Sequence, residues 1–246
     1  LFSLVGTVVA QPLRVCVPED TRPYSWKESG RARGFDVKVI ELVAARLDRA
    51  LALVWFESKF DREGSAAHDV NALLSAGVCD VSAGYALYEP SLGAPEKEVA
   101  RTPDYPGAKP LRQRPWIKLG KLIATSPYHA APLTVILGPN AGDKKINSLA
   151  DLDGLRVGGS GASLGSTLLV RYRNGMLAKQ FVMIRAIDDP LEAIEADRYD
   201  ATLVDLHAFD TYRTFKKPDT KLRASGFMHP LSFNLGFVAL EQQQDV

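Results

Sequence analysis

The stretch GFDVKVIELVAARLDRALALVWF, residues 34–56, decides the fold class. Gly34-Phe35-Asp36 opens a helix, with Asp36 placed to cap its N-terminus. Val39, Ile40, Val43, Ala44 and Leu47 recur at the three-and-four spacing of one helical face, and that stripe must meet a core. Leu51 to Phe56 follows as an unbroken apolar run of strand length. Upstream, Leu13 to Pro18 reads as a short buried strand ended by proline, and Glu19 to Gly34 as a turn-rich loop. Downstream, a helix around Asp69 to Ala76 closes at Gly77 and leads into a third strand, Cys79 to Tyr85. Strand, helix, strand, helix, strand implies a parallel sheet with right-handed crossovers.

A second α/β unit follows. Leu133 to Leu137 is extended, Ile146 to Leu152 is a short capped turn, and Leu155 to Gly159 is a strand. Ser160 to Gly165 turns into a helix near Ser166 to Asn174, and Phe181 to Ile184 is again a strand. Asp188-Asp189-Pro190 caps a helix through Ala196, with proline in the first turn, where its missing N–H does no harm. Ala201 to Asp205 is a strand, Leu206 to Phe215 a helix, and Leu222 to Phe227 and Phe233 to Ala239 are two closing strands. The expected architecture is α/β and two-lobed, each lobe a mainly parallel sheet flanked by helices, joined by two hinge strands. Lobe 1 takes residues 11–132 and 226–246, and lobe 2 takes residues 133–225. Ligands of open α/β sheets sit beyond the carboxyl ends of strands, so a cleft between the lobes is the expected binding place.

Composition narrows the function. With 30 basic and 29 acidic residues among 246, the chain has no global attraction to nucleic acid or acidic membranes. Charged residues at 24% and hydrophobic ones at 46% exclude a mainly disordered protein. No stretch approaches the roughly 20 apolar residues of a membrane-spanning helix. Residues 1–10 are apolar and uncharged, with Val8 and Ala10 at signal-peptidase spacing. They are expected to be the tail of a secretory signal cleaved before Gln11, an N-terminal strand or a tag remnant being the alternative. Export would place Cys16 and Cys79 where they could pair; two buried thiols are the other option.

Six of the 15 prolines fall between Pro90 and Pro115, a density no helix tolerates, together with Arg101, Lys109, Arg112 and Arg114. Residues 87–118 therefore form a long Pro/Arg-rich surface excursion, of the kind that is functional or disordered. Tyr24, Trp26, Tyr85 and Tyr128 lie at or near strand ends and are candidate aromatic walls of the cleft, with Asp36, Ser82 and Ala83 beside them. Ser160, Ser163 and Ser166 belong to a small-residue turn that either holds an anion on a helix N-terminus or is a plain tight turn. Asp205 either meets a ligand cation or caps the helix that follows. The four histidines lack metal-ligand spacing, no Gly-x-Ser-x-Gly elbow exists, and no cofactor or metal is expected.

The layout resembles the type II periplasmic solute-binding proteins, family 3. The resemblance rests on Leu13 to Pro18, Gly34-Phe35-Asp36, Asn71 to Ser82, Ser126-Pro127-Tyr128, Ser148 to Gly159 and Tyr199 to Asp205 in the family's order. A finer resemblance is to the J proteins of methanol oxidation systems, through Arg14-Val15-Cys16, Val78-Cys79-Asp80 and Val54-Trp55-Phe56. Family 3 receptors usually follow the third strand with an arginine that forks onto a ligand carboxylate. Tyr85-Ala86-Leu87-Tyr88-Glu89-Pro90 has none. The resemblance implies a non-catalytic, periplasmic protein, monomeric when free, acting as accessory to a quinoprotein methanol dehydrogenase subunit and binding a partner segment or an apolar ligand in its cleft. The alternatives are a receptor for an ABC-importer membrane component, and a periplasmic dehydratase using Glu89 or Asp205.

Overall fold

The computed structural model describes residues 11–57, 66–87, 92–161, 163–185 and 188–243. The expected signal remnant, residues 1–10, and the dehydratase candidate Glu89 lie outside them. The described residues fall into two units, one up to Tyr128 and again from Leu235, the other His129–Asn234.

In unit 1 the strands are β1 (Leu13–Pro18), β2 (Asp20–Thr21), β3 (Ser25–Glu28), β4 (Arg31–Arg33), β5 (Leu51–Phe56), β6 (Val81–Ala86), β7 (Val99–Ala100), β8 (Ile117–Lys118) and β9 (Leu122–Ala124), and the helices are α1 (Phe35–Arg46) and α2 (Ala66–Ser75). β1 pairs in parallel with both β5 and β6. Its alternate residues serve two cores, as the period of a strand requires. Val15 and Val17 pack with Val37, Ile40 and Ala44 of α1. Cys16 packs with Phe56 and with Val70, Leu73 and Leu74 of α2.

Unit 2 contains β10 (His129–Leu137), β11 (Val157–Ser160), α3 (Leu164–Arg171), β12 (Phe181–Ile184), α4 (Pro190–Glu195), β13 (Ala201–Asp205) and α5 (Leu206–Thr211). β11 is parallel to β12 and β13, and β10 is antiparallel to β13. β14 (Arg223–Leu240) supplies residues to both units, and in unit 1 its end pairs antiparallel with β6 and β9. The two expected closing strands are thus one continuous strand. The polar and turn residues between Phe227 and Phe233 read as a break, yet the backbone stays extended through them.

Each unit carries the same lock. In unit 1 the Arg14 amide donates to Asp80 Oδ2 at 2.9 Å, and the Asp80 amide donates back to the Arg14 carbonyl at 2.9 Å. In unit 2 the Arg156 amide donates to Asp200 Oδ2 at 2.8 Å, and the Asp200 amide returns 2.8 Å to the Arg156 carbonyl. Both guanidinium groups fork onto their carboxylate. Burial pushes Asp80 up, but the bonds and charge of Arg14 outweigh it, and the carboxyl stays below its ordinary range. The bonds from Arg156 hold Asp200 low against its burial. Each arginine also donates to the carbonyl of a left-handed residue closing the preceding helix, Gly77 (φ 66°) or Asp197 (φ 57°).

Four readings of local structure are corrected. Asp36 does not cap α1: the helix begins from Gly34, and Asp36 is buried within its first turn. Leu47 does not join the core stripe: the helix stops at Arg46, leaving Leu47 49% exposed, while Val37 takes the buried place. The loop from Glu19 to Gly34 contains the antiparallel ribbon β2-β3-β4. The helix after Asp205 is α-helical only to Thr211 and continues as one wider turn, Tyr212–Lys216.

Cys16 and Cys79 are joined in a disulfide with Cα atoms 5.7 Å apart. Cys16 faces Ser82 across the β1–β6 ladder, so Cys79 precedes the strand and is not held to ladder spacing. The bridge is fully buried and closes a separation of 63 residues. Replacing both cysteines by alanine should lower stability by about 2–4 kcal/mol through lost chain constraint. Urea denaturation of the variant and the parent, both under non-reducing conditions, measures it; equal midpoints would contradict it.

Candidate functional site

Unit 1 buries the Asp36 carboxylate almost completely. Gly34 (φ 119°) lets the chain turn into α1 directly against Tyr24, where an added Cβ would lie 2.1 Å from the Tyr24 carbonyl oxygen. The Asp36 amide then donates to that carbonyl at 2.9 Å, which points the side chain inward. Tyr128 donates its hydroxyl to Asp36 Oδ1 at 2.9 Å, and the Gly84 amide donates to the Tyr128 oxygen at 2.8 Å. Gly84 (φ 66°) leaves room for the other carboxylate oxygen, which a Cβ there would meet at 2.5 Å. That oxygen, Oδ2, is buried without a hydrogen-bond donor. Burial pushes the Asp36 carboxyl up to about 6, against the lowering pull of the Tyr128 bond. Burial, then the Asp36 charge, raises Tyr128 well above the ordinary phenol, so it remains a neutral donor. A buried carboxyl that titrates near neutrality can hold or release a proton at Oδ2.

Unit 2 gathers a different set. A pocket of about 110 Å³ is lined by Ser160, Ser163, Thr202, Leu133, Gly159 and Asp205. Ser163 caps α3 by accepting from the Ser166 amide at 3.1 Å, and the Ser163 and Ser166 hydroxyls lie 2.8 Å apart. Asp205 caps α5 by accepting from the His207 amide at 2.9 Å. The pocket therefore places a carboxylate beside the start of α3, a polarity suited to a ligand carrying both an amine and an acid. The His129 and His207 rings lie 5.5 Å apart. Burial first, then the neighbouring His207, lowers His129 despite the opposing pull of Asp205.

The remaining candidates sit elsewhere. Ser82, Ala83 and Tyr85, expected to line the cleft, are 0%, 1% and 6% exposed and belong to the core of unit 1. β6 lies between β1 and β14, and Ala83 and Tyr85 pack into the cores on its two faces. Ser82 donates to the Cys16 carbonyl at 3.2 Å. Trp26 lies on the short ribbon, with the Arg22 guanidinium 5.0 Å over its ring. Tyr24 contributes its backbone to the Asp36 turn, and Tyr128 stacks 5.0 Å from Phe237. The role of Gly84 was missed, because a glycine inside a strand carries no pairing information. Among the described residues no group of three or more His, Cys, Asp or Glu could hold a metal ion. Among them, too, no helix is long and apolar enough to cross a membrane.

No family model matches the chain, and no curated protein matches it. Solved structures do. A probable amino-acid ABC transporter extracellular-binding protein from Bacillus subtilis superposes with a TM-score of 0.65 at 18% identity, over 96% of this chain and 86% of that one. A histidine kinase sensor domain with similarity to periplasmic binding proteins gives 0.63 at 14% identity, over 95% and 84%. The unliganded L-cystine solute receptor of Neisseria gonorrhoeae gives 0.59 at 20% identity, over 96% and 82%. The chain has the α/β fold of the two-lobed periplasmic binding proteins.

The folded chain holds a proton on Asp36 that the unfolded chain gives up near pH 4, so Asp36 costs stability as pH rises from about 4 through 6. Asp36→Asn removes that dependence. Its stability advantage over the parent should grow by about 2 kcal/mol between pH 4.5 and 7.5. Chemical denaturation at both pH values reads this, and a constant difference would show Asp36 ionised throughout. Gly84→Ala should destabilise at every pH, since it combines a positive φ with a clash on Asp36. A melting temperature equal to the parent's would contradict that packing.

Proposed function

We propose that this chain is an exported, non-catalytic binding protein that serves as accessory to a quinoprotein methanol dehydrogenase, capturing a segment of the dehydrogenase subunit. The observation that carries the reading is the buried Cys16–Cys79 bridge followed at once by the Arg14–Asp80 lock. These are the residues on which the resemblance to the J proteins rests. A buried disulfide also suits an oxidising compartment outside the cytoplasm. The absence of an arginine directly after β6 in the sequence supports an accessory over an amino-acid receptor.

A second reading is favoured by unit 2. Asp205 beside the start of α3 is a small polar pocket, and structures of this fold include a solute receptor and an ABC transporter binding protein. On that reading the partner is an importer's membrane component. The dehydratase reading loses support at Asp205, whose carboxylate is engaged as a helix cap.

Native mass spectrometry of the protein released gently from periplasm decides between the two. A complex with the dehydrogenase large subunit, reproduced by titrating the two purified proteins, is the expected result. A retained small molecule lost on denaturation, with no complex on titration, would replace this reading with the receptor.

A further inference from the structure

The Pro/Arg-rich excursion folds into a site of its own, entirely within unit 1. Its ends close through β7 and β8, which pair antiparallel with Ala100 opposite Ile117. Its middle is pinned by Arg114, which is 8% exposed. Arg114 donates from Nε to the Lys109 carbonyl at 2.6 Å and from Nη1 to the Thr102 carbonyl at 2.9 Å, and forms an ion pair with Asp104. The Glu57 amide at the end of β5 donates to the Asp104 carbonyl at 2.9 Å. Asn71 and Ser75 of α2 hold the Gly120 backbone. Residues 92–118 are therefore held as a surface by contacts at both their ends and their middle.

Between this surface and α2 lies a pocket of about 280 Å³. Its rim carries three exposed apolar side chains, Val99 at 44%, Leu111 at 47% and Trp116 at 57%. Arg101 lines it with its guanidinium 4.6 Å over the Trp116 ring. Among the described residues no carboxylate pairs with Arg101; its Nε is buried without an acceptor, and Nη1 makes only a 3.4 Å bond to the Leu111 carbonyl. A partly desolvated guanidinium without a counter-ion is an unfavourable arrangement that a bound carboxylate would relieve. Glu57, Asp69 and Asp104 also line the pocket; Asp104 pairs with Arg114, and among the described residues none of the three pairs with Arg101. Residues 92–118 hold six basic and three acidic side chains, in a chain of formal net charge +1, so this segment is locally positive in a nearly neutral protein. Burial, then the nearby Lys97, lowers His68 at the pocket wall, which keeps it neutral at pH 7 and leaves the charge to the lysine and arginines.

We propose that this pocket docks an acidic peptide segment of a partner protein, with one apolar side chain seated in the cavity and an adjacent Asp or Glu on Arg101. The cavity admits about one large side chain. A small molecule confined to it would leave the three rim residues wet, whereas a peptide crossing the rim covers them. The site stands whichever partner the protein serves.

The test selects phage-displayed random heptapeptides on the full chain. The enriched sequence, made as a terminally blocked peptide, is then titrated by following tryptophan fluorescence. The expected enrichment sets Asp or Glu next to Phe, Leu, Met or Trp. Arg101→Gln and Trp116→Ala should each weaken binding at least tenfold while leaving the melting temperature unchanged. Replacing the peptide's acid by its amide should weaken binding equally, and that substitution cannot disturb the protein's folding. Absence of enrichment, a basic or neutral consensus, or binding indifferent to Arg101→Gln and to the amide peptide would overturn the proposal. Phenylacetate binding as tightly as the peptide and displacing it would also overturn it, in favour of a free small carboxylate.

Discussion

Everything in this protein is registered by one interaction made twice. An arginine at the start of the first parallel strand of each unit donates its amide to the carboxylate of an aspartate at the entry of the neighbouring strand, accepts that aspartate's amide on its carbonyl, and forks its guanidinium onto the same carboxylate. Two amides, a carboxylate and a guanidinium fix where β6 and β13 begin. Side chains on a strand alternate with a period of two, so fixing the start fixes the face of every residue that follows. From Asp80, the register delivers Gly84 to Asp36 and Tyr128. From Asp200, it delivers Asp205 to the end of β13, beside Ser160 and Ser163.

The residues around the two locks also correspond. Gly77 and Asp197 both adopt left-handed backbone three residues ahead of the aspartate. Each donates its amide to the closing turn of a helix, at the Leu74 and Ile194 carbonyls. Cys79 and Tyr199, each directly before the aspartate, are both buried under the sheet. In unit 1 that buried place is used for a covalent tie to β1; in unit 2 it is filled by a ring whose hydroxyl donates to the Pro190 carbonyl at 2.8 Å. The units are built alike but carry different chemistry. Unit 1 holds a buried, proton-retaining carboxyl and a side pocket with an arginine that no carboxylate pairs among the described residues, and unit 2 holds a small polar pocket.

Much of the fold was legible because burial leaves a periodic trace. β1, β5, β12 and β13 lie where apolar runs bounded by turn residues placed them. The Asp189-Pro190 start of α4 follows from side-chain capping and a pre-set φ. Where the readings failed, a distant contact had overridden a local rule. Asp36 has the composition of a cap, but Tyr128, 92 residues away, makes it a buried acceptor. The residues between Phe227 and Phe233 look like a break, but they stay extended within β14. Asp205 is the contrary case, since the cap that local sequence allowed is the one formed.

The sequence by itself determined the class of fold, the order of the strands and helices that build the two cores, and the charge that makes residues 92–118 a positive segment. Those properties depend on short-range periodicity and composition, and both can be counted along the chain. Only the tertiary structure decided that Cys16 and Cys79 meet, that Ser82, Ala83 and Tyr85 are core, and that Arg114 is a buried pin while Arg101 is left facing a pocket. Two arginines in the same proline-rich segment have the same local signature. What separates them is which carbonyls and carboxylates the folded chain brings within about 3 Å, and that depends on how the segment folds back on itself, which its composition does not state.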